Sequence, residues 1–187
     1  MIFRTLALPE IREIYRQRMV EDFPEDELKP LWMLEAALKR GQYVCYGFEG
    51  EDGLLAYACF VVSGDIALVD YLAVRRDKRD EGIGGQFIRA MLEGPLRAYA
   101  SVLLEVDDPD LAPDENELET RERRLRFYLR NGLLETGVRA AVFGVGFRIL
   151  ALPVGESPAP ERVRRDYGTL YRAMLPKRLY ETKVKIL

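Results

Sequence analysis

The chain has 187 residues, 48% of them apolar and 32% charged, with a net charge of −3 and no histidine. That length fits one domain with a sizeable core, and the weakly acidic balance argues against a general nucleic-acid binder, because phosphate-backbone affinity needs a basic face. Without histidine, Ser-His-Asp and Cys-His catalysis and His-ligated zinc are excluded; acid–base work falls to carboxylates, tyrosine, lysine, cysteine or water.

Met1–Thr5 carries no charged region followed by a long apolar stretch, so it does not read as a signal peptide. No apolar run approaches the roughly 20 residues that a membrane span needs. Cys45 and Cys59 each lie in a strand-like run, outside any CxxC or ligand spacing. They read as reduced, buried thiols of a cytoplasmic protein, and no metal site is expected.

Residues 2–6 predict a short strand. A helix begins near Pro9, which suits a first helical turn; Ile11, Ile14 and Tyr15 mark one face, and Phe23-Pro24 ends it. Leu28, Leu31, Leu34 and Leu38 predict a second helix over Glu25–Arg40, stopped by Gly41. Tyr43–Phe48 and Leu54–Val62 flank the turn Glu49–Gly53, a hairpin signal. After Ser63-Gly64-Asp65, Ile66–Val74 is nearly continuous in apolar residues and reads as a central strand. A charged loop, Arg75–Glu81, leads into a helix over Gly82–Leu92. Val102–Val106 predicts another buried strand, Asp107–Glu119 an acidic segment, and Glu119–Arg130 a helix stopped by Asn131-Gly132. Leu133–Val142 and Phe147–Leu152 predict two strands joined through Gly144 and Gly146.

Gly155–Pro160 reads as a loop or linker. Glu161–Leu175 predicts an amphipathic helix with Val163, Tyr167, Leu170, Tyr171 and Met174 on its apolar face, and Lys183–Ile186 alternates like a strand. Strands outnumber helices and come in runs, so the fold class is α+β with a mixed sheet. Residues 1–153 read as one domain, with 154–187 a C-terminal helical extension packed on it.

The informative stretch runs from Asp70 to Gln86. A buried strand enters a polar loop, and the loop enters a helix start containing Gly82, Gly84 and Gly85. Free N–H groups and the positive end of the macrodipole make such a start an anion site, and glycines let a ligand approach the backbone. A diphosphate suits it. The P-loop pattern is absent, and the dinucleotide pattern fails at Phe87, where a third glycine would stand.

Arg79-Asp80-Glu81-Gly82-Ile83-Gly84 resembles the R/Q-x-x-G-x-G/A signature of the Gcn5-related N-acetyltransferase (GNAT) family. The strand Tyr71-Leu72-Ala73-Val74 before it and Phe127-Tyr128-Leu129-Arg130-Asn131-Gly132-Leu133 on a later helix also resemble that family, as does the element order. The resemblance covers about residues 1–153. It implies a central mixed, mostly antiparallel sheet flanked by helices, and acetyl transfer from acetyl-CoA to a primary amine of a small molecule or peptide, without a metal.

It further implies roles for individual residues. Backbone groups of Leu72, Ala73 and Val74 would pair with the pantetheine arm. Main-chain N–H groups from Arg79 to Gly85, including Gly82, Ile83 and Gly84, would hold the pyrophosphate, with Arg79 adding charge. Asn131 would lie near the cofactor. Tyr128 matches the tyrosine that protonates the departing thiolate in many members; a phenol of pKa about 10 can donate to a thiolate whose acid has pKa about 8.5. Asp80 and Glu81 depart from the common residues before the first glycine and read as first-turn acids facing solvent.

The general base stays open between Asp70, which shares a strand face with Leu68, and Glu105 on the next strand. Either could equally be an ion-paired or solvated carboxylate. The acidic run Asp107–Glu119 is expected to be a solvated loop, or else a lure for a cationic substrate. The helix bearing Arg121, Arg123, Arg124, Arg126 and Arg130 reads as a solvated face. Phe23-Pro24, Trp32, Phe143 and Phe147 are candidates to line a substrate groove or to be core. An acyl-CoA-binding sensor without turnover is the alternative function. Nucleic-acid and membrane partners are not expected, and a homodimer is left open.

Overall fold

A computed structural model describes residues 1–25, 27–154 and 158–187. The linker expected over Gly155–Pro160 lies in part outside these, as does Asp26. Backbone packing divides the chain into two compact units, 1–62 with 70–90, and 63–69 with 91–187.

In the first unit, strand β1 (Ile2–Thr5) lies antiparallel to β2 (Tyr43–Gly50), and β2 to β3 (Gly53–Ser63), with the order continuing into β4 (Ile66–Val74). Helix α1 (Leu8–Ile14) carries Pro9 in its first turn. It runs on through a π-helical turn, Tyr15–Met19, into α2 (Val20–Asp22), where Phe23 turns to an extended conformation.

The second helix, α3 (Leu31–Lys39), begins six residues later than Glu25. Pro30 is the reason. It has no N–H and its ring excludes a preceding helical turn, so it caps the helix instead of lying inside it. Leu28 sits in a turn, with its N–H on the Pro24 carbonyl at 3.1 Å.

Helix α4 (Ile83–Glu93) buries Phe87 completely, stacked on Phe48 with centroids 5.5 Å apart. The position that breaks the dinucleotide pattern is thus a core position. Cys45 and Cys59 are buried free thiols at directly opposed positions of β2 and β3.

In the second unit the strand order is β4, β5 (Ser101–Asp107), β7 (Val145–Ala151), β6 (Leu134–Val142), β8 (Val184–Ile186). β4 and β5 are parallel over Ile66–Val69 and Ser101–Leu104; the β5–β7, β6–β7 and β6–β8 pairs are antiparallel. The tail expected to alternate like a strand is β8, reached through α7 (Lys177–Lys183). β6 and β7 turn over Phe143-Gly144, both with positive φ, so Gly146 belongs to the strand and pairs with Ala141.

Helix α5 (Glu115–Arg130) starts four residues before Glu119, because the Asp114 side chain caps it by accepting the Glu117 N–H at 2.9 Å. The end of the acidic run is therefore a helical first turn. Helix α6 (Pro160–Met174) buries Val163, Tyr167, Leu170 and Tyr171, as its apolar spacing predicts, while Met174 is half-buried. No helix of the described residues is long and apolar enough to cross a membrane.

Candidate active site

The first unit carries the glycine-rich segment. β4 delivers Leu72, Ala73 and Val74 to a single 3-10 turn, Arg76–Lys78, and the chain then reverses through two left-handed residues, Asp80 (φ 65°) and Gly82 (φ 77°). Glycine meets that requirement freely, and aspartate is among the few side chains that tolerate it. That requirement accounts for Asp80, which the sequence reading treats only as an acidic first-turn residue. Glu81 lies 3.9 Å from Lys78 Nζ, and that lysine is also 3.5 Å from Asp52. The two acids thus lie exposed on the loop, as expected.

Gln86 N–H closes the first helical hydrogen bond on the Gly82 carbonyl at 3.1 Å. By helix geometry the N–H groups of Ile83, Gly84 and Gly85 have no acceptor within α4. Arg79 donates from Nε to the Val74 carbonyl at 3.2 Å and contacts Asp22 from Nη2 at 3.2 Å.

Asp70 is a held carboxylate. Lys29 Nζ lies 2.5 Å from Oδ1 and the Tyr43 hydroxyl donates to Oδ2 at 2.6 Å. Burial, then the Asp70 charge, pushes the Tyr43 phenol well above its usual pKa, so it stays protonated and donating. The Tyr71 hydroxyl accepts the Lys29 backbone N–H at 2.8 Å and donates to the Glu27 carbonyl at 3.0 Å, tying the turn before α3 to β4.

The second unit carries Tyr128, Asn131 and Glu105. Tyr128 is buried on α5, edge-on to Phe127 at 5.3 Å, and burial raises its phenol pKa while Arg124 works the other way. Asn131 caps α5, donating from Nδ2 to the Phe127 carbonyl at 2.8 Å.

Glu105, on β5, receives two hydroxyls from α6 on one oxygen: Tyr167 and, at 2.6 Å, Tyr171 both donate to Oε1. The two rings lie 4.8 Å apart. Burial and the Glu105 charge raise both phenols, so neither ionises near neutrality. This pairing joins residues 62 and 66 apart in sequence. Its one sequence signal is the helical spacing of two tyrosines on an otherwise aliphatic stripe.

The acidic run is ion-paired at its start and, from Asp110 on, mostly exposed, as a solvated segment would be. Asp107 meets Arg124 at 2.5 Å; Asp108 is buried between Arg139 (3.2 Å) and Arg148 (2.9 Å); Asp110 meets Arg139 at 2.6 Å. Arg121 donates to the Asp108 carbonyl at 3.0 Å. So Arg121 and Arg124 fasten α5 to the end of β5, and only part of the basic face is solvated. Trp32 and Phe143 are exposed (69% and 54%), which removes them from the core; Phe23 packs edge-on against Tyr71 at 4.8 Å. Among the described residues no group of three or more acidic, cysteine or histidine side chains is placed to hold a metal ion.

No family model matches the chain. It is 34% identical over 114 residues to YjbC of Bacillus subtilis, provisionally named an acetyltransferase; the match covers 61% of this chain and 53% of that protein, so the chain spans about half the length of this curated relative. Its fold matches a structure from Bacteroides thetaiotaomicron, provisionally named a GNAT-family acetyltransferase, with TM-score 0.69 and 18% identity, covering 92% of this chain and 95% of that one. It also matches an aminoglycoside 6′-N-acetyltransferase complexed with coenzyme A, with TM-score 0.58 and 14% identity over 84% of this chain and 99% of that one. The chain has the GNAT fold.

Proposed function

We propose that the protein is an acetyl-CoA-dependent N-acetyltransferase acting on a primary amine. The observation that supports this best is the R-x-x-G-x-G segment at a reversed loop and helix start, within a fold shared with GNAT acetyltransferases. In this reading the α4 N–H groups and Arg79 bind the pyrophosphate, backbone groups of Leu72–Val74 pair with pantetheine, and Asn131 shapes the end of α5 beside the cofactor.

The neutral amine attacks the thioester carbonyl carbon. A C–N bond forms, the C–S bond breaks, the amine proton passes to a carboxylate directly or through water, and Tyr128 protonates the thiolate. The base is one of two carboxylates, Asp70, which is ion-paired with Lys29, or Glu105, which accepts the hydroxyls of Tyr167 and Tyr171. Tyr128, buried and held protonated near neutrality, suits a proton donor.

The substrate class is a small or peptide amine, in line with the aminoglycoside named for one structural relative. Thermal melting with acetyl-CoA, CoA, ATP and NADH tests the cofactor. A ligand at about 100 times its Kd adds roughly 2.7 kcal/mol, which for a chain of this size raises Tm by about 5–10 °C. A shift with acetyl-CoA and CoA alone supports the reading, and thiol release with a panel of amines completes it. A shift without release from any amine would favour an acyl-CoA-binding protein; no shift would remove the cofactor assignment.

A further inference from the structure

Asp22 closes the helical segment that begins at Leu8, and its carboxylate is only 5% exposed. Arg79 lies 3.2 Å from Oδ1, Arg76 3.8 Å from the same oxygen, and Arg18 4.0 Å from Oδ2, which also accepts the Tyr57 hydroxyl at 3.0 Å. Arg76 donates to the Glu21 carbonyl as well. A carboxylate at the C-terminal end of a helix is misplaced electrostatically, because the macrodipole already puts negative charge there. Asp22 therefore does not serve the helix it ends. The groups it serves are the arginines.

Arg79 is the one among them that stands in the glycine-rich segment. Its Nε holds the Val74 carbonyl, its Nη2 holds Asp22, and 49% of the side chain remains exposed. A guanidinium has five N–H donors in a rigid fork, so two anchoring contacts still leave donors for an anion. Anchored in this way, the long side chain loses little further freedom when a diphosphate arrives. The carboxylates nearby oppose an anion, but Asp22 is shared by three guanidinium groups, and Glu21 lies 4.0 Å from Arg76.

We propose that Asp22 is a positioning residue for the cofactor site, holding the Arg79 guanidinium where it meets the diphosphate of coenzyme A. This rests on the acetyl-CoA reading above. It also assigns a role to the long α1–α2 helical segment, whose last residue braces the cofactor loop.

The test is calorimetric titration of CoA into the full chain and into Asp22→Asn, Arg79→Gln and the double variant, with the melting temperature of each free protein as a check of folding. Asp22→Asn is expected to bind CoA roughly fivefold more weakly, the effect of releasing one long side chain. The same change is expected to add nothing in the Arg79→Gln background. Unchanged affinity in Asp22→Asn overturns the proposal; so does an equal loss in both backgrounds, since Asp22 would then act through the fold. If Asp22→Asn does not fold, Tyr57→Phe removes a donor that fixes Asp22 and is expected to weaken CoA in the same Arg79-dependent way, less strongly. A wild-type chain that binds no CoA removes the cofactor reading and this proposal together; one that binds CoA independently of Asp22 removes the proposal alone.

Discussion

Around Asp22 three arginines and a tyrosine hydroxyl share one buried carboxylate. Around Asp107, Asp108 and Asp110 the arginines Arg124, Arg139 and Arg148 are matched by as many carboxylates. The first cluster has an excess of cation, and Arg76 and Arg79 stay about half exposed. The second has a carboxylate for each guanidinium, although Arg124 and Arg139 are as exposed as Arg79. A surplus of half-exposed guanidinium groups beside a helix start is a surface for an anion. A matched set of paired charges stiffens a strand end and offers little to a ligand. Glu105 stands apart from both, held by two phenols. Charge density in the sequence is thus a poor guide to binding; what matters is which charges the fold leaves uncompensated.

The contrast is broken most severely at the helix start. Gly84 is buried in the first turn of α4. Gly84→Glu puts a carboxylate against the expected diphosphate, and acetyl-CoA is expected to lose its thermal shift altogether; a retained shift would detach the glycine-rich segment from the cofactor. Next in size is Glu105→Gln, which keeps an oxygen for Tyr167 and Tyr171 but cannot take a proton. Turnover with the best amine is expected to fall by about 10²- to 10⁴-fold with the acetyl-CoA shift intact. An unchanged rate would make Glu105 an anchor for α6 and no more. Tyr128→Phe comes third, with a loss of about 10²-fold in kcat and little change in KM for acetyl-CoA; a loss confined to KM would mean the ring only packs.

A smaller effect belongs to Gly82. A Cβ there has room, with its nearest neighbour Gln86 Nε2 at 3.9 Å, but φ is 77°. Gly82→Ala is expected to cost about 1–2 kcal/mol through backbone strain alone, read as a lower Tm of the free protein, while Gly41→Ala (φ 67°, open surroundings) gives a similar loss without touching cofactor affinity. Equal effects of the two on CoA binding would mean that the loop reversal has no special role.

The fold was largely legible because its signals are local. The buried run Ile66–Val74, the hairpin signal after Tyr43 and the apolar stripe of α6 each report a burial pattern that the structure shares. The misses were also local, but concerned backbone chemistry. Pro30 outweighed the leucine spacing at Leu28, and Asp114 with Glu117 formed a cap inside what reads as an acidic loop. The site was legible only where a motif runs along the backbone. Its side-chain partnerships join residues such as Asp22 with Arg79, 57 apart, and Glu105 with Tyr171, 66 apart. No spacing rule reaches that far, because which side chains meet depends on how the sheet stacks its helices.

pH separates the two kinds of charge partnership. Burial raises the phenols of Tyr57, Tyr128, Tyr167 and Tyr171 above the ordinary tyrosine value, with Asp22 and Glu105 adding to the effect at Tyr57 and at the α6 pair. A raised pKa means the folded chain holds the proton more tightly than the unfolded one. The stability contributed is complete below about pH 10 and declines as pH rises beyond it. The exposed ion pairs work in the opposite sense. Arg4 lowers Glu10 and Glu49, and Arg139 lowers Asp110, so their small contribution is present above the usual carboxylate range and is lost as pH falls through it. With no histidine to titrate, Tm is expected to be flat from about pH 6 to pH 8, where the unfolded Cys45 thiol, held protonated by burial in the fold, begins to ionise. Melting curves of the Tyr167→Phe and Tyr171→Phe variants measure the alkaline arm: each is expected to make its decline shallower and to leave the acid arm unchanged. A decline as steep as that of the wild-type chain would show that the Glu105 pair is not what the alkaline arm reports.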